Sequence, residues 1–275
     1  MRFNKSHGLG NDFIIVDNRA GELGDLSALA RRLCPRAVSV GADTLLVLEN
    51  SETCAVGMRT INADGTEAAM CGNGIRCFAK YLYERGIVQS EEFDVETLAG
   101  AIRPVLHMAG GTVDSVTINM GAASFERERI PMRGDGVFID MPLQARGAEF
   151  TATSLLMTIP HTVLFVDDAD AVDTALYGPA IEHNPLYPEG TNVDFVQVLD
   201  RRTLKLRSWE RGCGATLACG TGACAAVAAG FMTGRCEREV SVRMALGALN
   251  IRIDEDWLVY MRGPAVSVYD GEIEL

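Results

Sequence analysis

Short runs of apolar and β-branched residues dominate the pattern along the chain. Runs of this kind are typical of buried strands. They lie at residues 13–16, 45–48, 113–119, 163–166, 193–198, 240–244, 251–253 and 257–261. The pattern therefore predicts a protein in which strands clearly outnumber helices.

Four segments have the pattern of helices. One begins near residue 72, carries Ile75, Phe78 and Leu82 on one side, and stops at Gly86, a residue type that often follows a helix. Another follows Cys219 and is apolar nearly all round, which predicts a helix buried inside its domain. Two further helices are expected at residues 26–34 and 173–183.

The two central helices open with nearly the same four residues. Residues 71–74 read Cys-Gly-Asn-Gly, and residues 219–222, 148 positions later, read Cys-Gly-Thr-Gly. Similarity continues upstream at the same offset, and a period of about half the chain is far too long for a solenoid. We therefore expect two similar domains that share a cleft. One comprises residues 1–120 with 264–275, the other residues 121–263, and each is expected to be a strand-rich, barrel-like shell around one central helix.

Composition narrows the class of protein. The chain has 275 residues, 48% of them hydrophobic, which is ample for two cores. A net charge of −12 without a basic stripe argues against nucleic acid as a partner. With neither the apolar core of a signal peptide nor a run of transmembrane length, we expect a soluble, cytoplasmic protein that does not bind membranes.

The eight cysteines are expected to be reduced. Most of them are interpreted as small, buried apolar residues; these are Cys34, Cys54, Cys77, Cys213, Cys224 and Cys236. The remaining two, Cys71 and Cys219, belong to the repeated motif.

A cysteine at a helix N-terminus feels the positive end of the helix dipole, which favours the thiolate. We therefore expect Cys71 and Cys219 to be usable bases near neutral pH. The backbone amides of the next residues can bind a carboxylate between two helix ends; these are Gly72, Asn73, Gly220 and Thr221.

Two such thiols suit one class of reaction. Inverting a carbon centre requires a base on one face and an acid on the other, with the roles exchanged in the reverse direction. A metal or redox site is the alternative, but no Cys-x-x-Cys occurs and the spacings are not those of zinc sites. A pyridoxal enzyme would need a Schiff-base lysine, and Lys5, Lys80 and Lys205 have no suitable context. We expect neither a metal nor a cofactor.

Several segments, in order, make the chain similar to the diaminopimelate epimerase family. The similar segments span nearly the whole sequence: residues 7–13, 62–65, 70–77, 190–196, 209–212 and 217–222. The resemblance implies an α+β fold of two pseudo-symmetric mixed α/β domains, usually in a homodimer. It also implies a cofactor-independent epimerase that uses Cys71 and Cys219 to interconvert L,L- and meso-2,6-diaminopimelate, an amino acid needed for lysine and peptidoglycan synthesis.

The resemblance also implies roles for particular residues. Substrate contacts are expected from Asn11, Asn62, Asn192, Glu210 and Arg211. A guanidinium fork suits a carboxylate, and a glutamate suits an ammonium group. His161 and Glu210 are further expected to take part in catalysis beside the two cysteines.

Three positions depart from the family pattern. Ile159 stands where the family often has a substrate-contacting asparagine, Thr44 where many members have glutamine, and Ala215 where many have glutamate. The first two favour an alternative, a cofactor-independent racemase of another amino acid on the same fold. A third hypothesis is a non-catalytic metal-binding or redox protein.

Overall fold

The computed structural model describes residues 1–274, which divide into two compact units. The first comprises residues 1–119 together with the chain from Arg262 onward, and the second comprises residues 120–261. Each unit is built from a strand-rich sheet and two helices. No helix within residues 1–274 combines the length and apolar character needed to span a bilayer.

The first unit contains two helices, α1 (Leu26–Leu33) and α2 (Gly72–Glu84). Its strands are β1 (Arg2–Gly8), β2 (Asn11–Asp17), β3 (Thr44–Glu49), β4 (Val56–Asn62), β5 (Glu67–Ala68), β6 (Val95–Thr97), β7 (Gly100–Ile102), β8 (Val105–Ala109), β9 (Thr112–Ala122) and, at the end of the chain, β19 (Val266–Glu272). The main sheet has the order β19-β1-β2-β3-β4-β6-β7, with β5 paired to β4.

Helix α2 packs on the sheet of the first unit. It contacts β1, β2 and β19, and buries Ile75, Phe78, Ala79 and Leu82. The apolar residues fall three and four positions apart, so they form one face of the helix. That packing fixes the position of Cys71, the residue just before α2.

The second unit contains α3 (Thr174–Glu182) and α4 (Gly220–Met232). Its strands are β10 (Met141–Ala145), β11 (Ala148–Met157), β12 (Ile159–Phe165), β13 (Asn192–Asp200), β14 (Thr203–Glu210), β15 (Gly214–Thr216), β16 (Glu239–Met244), β17 (Gly247–Ile253) and β18 (Leu258–Pro264). These strands follow the order β10-β11-β12-β13-β14-β16-β17-β18, with β15 paired to β14. Helix α4 contacts six of them and is buried from Gly222 to Gly230.

The two units repeat one topology. In each, a parallel pair (β2 with β3, β12 with β13) is followed by an antiparallel partner (β4, β14). That partner also pairs with a short antiparallel strand (β5 with β4, β15 with β14) and with a further parallel strand (β6 with β4, β16 with β14). Even the register matches at the offset of 148, because Phe13 pairs with Thr44 and His161 pairs with Asn192.

The mixed, strand-rich fold expected from the sequence is confirmed. All eight predicted strands and all four predicted helices are present. The apolar pattern missed the other eleven strands within residues 1–274, from short ones such as β5 and β15 to long interior ones such as β11 and β14. The interpretation of the six remaining cysteines holds for Cys34, Cys77, Cys224 and Cys236. It is wrong for Cys213, which is exposed in the turn after β14, and for Cys54, which is half-buried.

Candidate active site

In the first unit, Cys71 caps the N-terminus of α2. Its backbone is extended (φ −132°, ψ 114°), and its sulfur accepts the N–H of Gly74 at 3.4 Å. The thiol also donates to Oδ1 of Asn11, with the sulfur 3.7 Å from that oxygen. The cysteine therefore takes the place that serine or aspartate usually takes at a helix start.

The amide of Asn11 has a fixed orientation beside Cys71. Its Nδ2 donates to Oδ2 of Asp43 at 2.9 Å, and its Oδ1 accepts from Nδ2 of Asn73 at 3.2 Å. Arg36 holds Asp43 in turn, with Nη2 2.6 Å from Oδ1. Because a carboxylate only accepts hydrogen bonds, Asp43 turns the amide oxygen of Asn11 toward the thiol.

Three further residues expected at the substrate lie in the same unit: Asn62, Gly72 and Asn73. Oδ1 of Asn73 is buried and has no hydrogen-bond partner within residues 1–274. Asn62 pairs in register with Thr44 and donates from Nδ2 to Oγ1 of Thr66 at 3.0 Å. Gly72 is the first residue of α2 and contributes an N–H at the helix end.

In the second unit, Cys219 caps α4 in the same way. Its sulfur accepts the N–H of Gly222 at 3.3 Å and lies 3.5 Å from Oγ1 of Thr221. Burial raises the pKa of the Cys219 thiol well above its usual value, and the carboxylates of Glu210 and Asp194 raise it further. Hydrogen bonds from Thr221 and Gly222 act in the opposite direction. The thiolate expected from the helix end alone is thus opposed at Cys219, because burial and two carboxylates outweigh the hydrogen bonds from Thr221 and Gly222.

His161 is fully buried in the second unit. Its Nδ1 lies 2.7 Å from Oδ2 of Asp194, and its Nε2 lies 3.5 Å from Nδ2 of Asn192. Ser208 donates to the other oxygen of Asp194 at 2.6 Å. The four side chains form a continuous chain of hydrogen bonds on β12, β13 and β14.

The turn after β14 carries Glu210 and Arg211, and two buried side chains hold it. Oδ1 of Asn192 accepts the backbone N–H of Arg211 at 2.7 Å. The carboxylate of Glu182, on α3, accepts the N–H of Gly212 at 3.0 Å and the indole N–H of Trp209 at 2.7 Å. These hydrogen bonds fix the backbone of the turn. The guanidinium of Arg211 donates from Nη1 to the carbonyl oxygen of Glu189 at 2.8 Å.

Sequence reasoning missed four polar residues in these networks: Asp43, Glu182, Asp194 and Ser208. A signal existed for Asp194, since a carboxylate stands inside the apolar run of β13, between Val193 and Phe195. A charge at such a position is costly unless it is paired. Within residues 1–274, no three His, Cys, Asp or Glu side chains are grouped so that they could hold a metal ion.

Comparison with known proteins supplies the family. A model of the family described as "Diaminopimelate epimerase" matches residues 3–126 and 153–268. A diaminopimelate epimerase of Moorella thermoacetica is 50% identical, with 100% of both chains covered. One of Caldanaerobacter subterraneus is 47% identical, again with 100% of both chains covered.

Solved structures share the fold at low identity. A Bacillus anthracis phenazine biosynthesis protein of the PhzF family superposes with a TM-score of 0.73 at 15% identity, covering 100% of this chain and 99% of that one. A probable proline racemase from Agrobacterium radiobacter gives a TM-score of 0.71 at 16% identity, with 100% and 93% covered. The family model matches most of this chain, and a relative of that family is 50% identical over the whole chain. The chain therefore belongs to the diaminopimelate epimerase family and is an isomerase of the epimerase type.

Proposed function

We propose that the protein interconverts L,L- and meso-2,6-diaminopimelate by moving a proton at one α-carbon, with Cys71 and Cys219 as the acid and base. One observation carries this proposal. In each unit a cysteine caps the central helix and accepts the N–H of the third residue after it. The substrate is inferred from the names of the similar relatives, which are diaminopimelate epimerases.

In the proposed reaction the two sulfur atoms are the groups that take up and deliver the proton. A thiolate on one face removes the α-proton, and the thiol on the other face delivers its proton to the carbon. The two sulfur atoms thereby exchange protonation states, so the reverse reaction uses them in opposite roles. The N–H groups at Gly72, Asn73, Gly220 and Thr221 would bind the α-carboxylate and stabilise the negative charge that develops as the proton leaves.

Substrate choice is assigned to residues that differ between the units. Glu210 and Arg211 occupy the positions that Asn62 and Ala63 occupy in the first unit. A glutamate and an arginine can pair with the ammonium and carboxylate of a second amino-acid end. We assign Asn11, Asn62 and Asn192 to neutral hydrogen bonds with the substrate.

Two carboxylates and a histidine are proposed to act on Cys219. Glu210 contributes to the raised pKa of this thiol, which favours the protonated form and hence the role of acid. His161 acts through Asp194, the second carboxylate that raises the same pKa. We propose two domains, residues 1–120 with 264–275 and residues 121–263, each of which supplies one thiol, and the two compact units support this division.

The test is exchange of the α-proton with solvent. Purified protein is incubated in deuterated buffer, under reducing conditions, with L,L-diaminopimelate and separately with other L-amino acids. Deuterium at the α-carbon of diaminopimelate alone supports the proposal. Exchange only with another amino acid would establish the racemase suggested by Ile159 and Thr44, and no exchange together with stoichiometric zinc would establish a metal-binding protein.

Activity that persists after dialysis against a chelator, without pyridoxal absorbance, tests independence from cofactors. Reactive thiols also require a reducing compartment, which supports the cytoplasm as the site of action.

A homodimer is proposed as well. Strand β19 ends its sheet and exposes Val266, Val268 and Tyr269, and an apolar edge strand favours pairing with another chain. Light scattering after size-exclusion chromatography measures the mass.

A further inference from the structure

A chain of hydrogen bonds runs through the second unit from Ser208 to the backbone of Arg211. Ser208 donates to Asp194, Asp194 faces Nδ1 of His161, His161 faces Asn192, and Asn192 accepts the N–H of Arg211. Asp194 and His161 have no exposed surface, and Asn192 and Ser208 are nearly as buried.

The backbone end of this chain fixes the direction of every hydrogen bond. The N–H of Arg211 can only donate, so the Asn192 atom that faces it is the amide oxygen. The amide nitrogen of Asn192 then faces Nε2 of His161, which must accept and therefore carries no proton. The single imidazole proton lies on Nδ1 and is donated to Asp194. His161 is thus held as one neutral tautomer.

The first unit shows that the fold does not require these polar residues. At the same offset of 148, Phe13 corresponds to His161 and Leu46 to Asp194, and both are buried without exposed surface. Replacing both members of a buried hydrogen-bonded pair by well-packed apolar residues of similar volume is often neutral for stability. A pair present in only one of two equivalent sheets therefore calls for a role other than folding.

We propose that Asp194 is a positioning residue: it fixes the tautomer of His161, which orients the amide of Asn192 and so holds the backbone of Arg211 in place. The proposal rests on the proposed function, since it gives Asn192 and Arg211 a substrate to bind. This positioning role runs through His161 and Asn192 and is separate from the effect of Asp194 on the pKa of the Cys219 thiol. In this role Asp194 keeps the turn after β14 in its binding conformation before the substrate binds.

The decisive variant installs the residues of the first unit in the second, as His161→Phe combined with Asp194→Leu. Because the first unit folds with this apolar pair, we expect a folded protein with cooperative thermal unfolding. The Asn192 amide loses its partner, so KM for diaminopimelate should rise at least about tenfold, the loss expected for one hydrogen bond. The value of kcat should change as well, because Asp194 no longer raises the pKa of Cys219. A native KM in the folded double variant would overturn the proposal. Ser154→Ala, which removes a buried hydrogen bond to Tyr187 in the same unit, is the matched control and should leave KM unchanged.

Two measurements do not depend on substrate and separate this proposal from the proposed function. In the native protein, ¹⁵N NMR of His161, assigned with the His161→Gln variant, should show the Nδ1–H tautomer at neutral pH. The Nε2–H tautomer or an imidazolium would contradict the proposed chain even if the double variant failed to fold. Hydrogen exchange of the Arg211 amide should be at least about tenfold faster in the double variant than in the native protein, and equal rates would also contradict it. Absent α-proton exchange in the native protein, by contrast, would remove the proposed function and leave these two results unchanged.

Discussion

The caps of the two central helices differ in what lies beneath them, although their backbones are nearly identical. Both cysteines have an extended backbone, and the sulfur atom of each accepts the N–H of the third residue after it. Below Gly74 in the first unit lie the methyl groups of Leu46, 3.3 Å from the position a Cβ would take. Below Gly222 in the second unit lies the carboxylate of Asp194, 2.5 Å from the corresponding position.

This difference indicates how a duplicated fold can bring two equal thiols to unequal environments. The helix end, the cap and the strand order are common to the units and supply the shared chemistry. The buried carboxylate and Glu210 are confined to the second unit, and both raise the pKa of Cys219. One unit thus holds its thiol against an amide oxygen, and the other holds it near two negative charges.

The largest effect is expected where the units are alike. Cys71→Ala and Cys219→Ala should each reduce epimerisation by a factor of about 10³ or more, because one face of the carbon loses its only proton donor or acceptor. Conversion of L,L- to meso-diaminopimelate measures the loss, and circular dichroism checks that the variants fold. Cys54→Ala, a half-buried cysteine outside the motif, is the control and should retain activity. Near-normal turnover in either motif variant would contradict the two-thiol mechanism.

A methyl group added at the third helix position should separate the two caps. Gly222→Ala places a Cβ against Oδ1 of Asp194 and Oγ of Ser208, so we expect destabilisation of about 1–3 kcal/mol from overpacking, with reduced activity. Gly74→Ala meets only side-chain carbons at 3.3 Å, and the helix propensity of alanine offsets this by about 0.5–1 kcal/mol. Denaturant unfolding of both variants gives the comparison. Equal losses of stability would mean that the carboxylate beneath α4 yields as easily as a leucine methyl.

Removing the charge of Glu210 should make Cys219 easier to ionise. The carboxylate disfavours the thiolate and raises the pKa of Cys219, so Glu210→Gln should lower that pKa and increase the thiolate fraction below it. We expect alkylation of Cys219 by iodoacetamide at pH 8 to be about two- to tenfold faster, up to the factor that one pKa unit gives. The rate is followed by peptide mass spectrometry. Glu237→Gln, whose carboxylate pairs with Arg202 at the other end of β14, should leave the rate unchanged.

The sequence predicts what the units share better than what distinguishes them. Periodicity and the repeated motif indicate both central helices, the individual strands β2, β3, β12 and β13, and the position of Cys71 and Cys219 at the helix starts, because these depend on local patterns. Short strands such as β5 escape prediction, since two residues carry no periodic signal. Their place is decided by pairing with a neighbour rather than by their own composition.

The polar networks could not be predicted because their members are distant in sequence. Asp194 meets His161 only because β12 and β13 pair in parallel, and Glu182 reaches the turn after β14 from α3. The raised pKa of Cys219 likewise depends on burial, which the motif alone does not reveal. The helix end alone suggests a thiolate, whereas burial in the packed unit disfavours the charged form of the Cys219 thiol.

The smallest effect is expected at the edge of the first cap, where Asp43 turns the amide of Asn11 toward Cys71. Asp43→Ala removes the acceptor for Nδ2 of Asn11 but leaves the hydrogen bond from Asn73 to Oδ1 in place. Because Asp43 is partly exposed, water can replace the lost acceptor, and kcat/KM should fall only about two- to threefold. Asp17→Ala, an exposed carboxylate paired with Arg19 in the same unit, is the matched control. A loss as large as that of Cys71→Ala would mean that the amide orientation is set by Asp43 alone, and the asymmetry between the caps would then lie in the first unit as much as in the second.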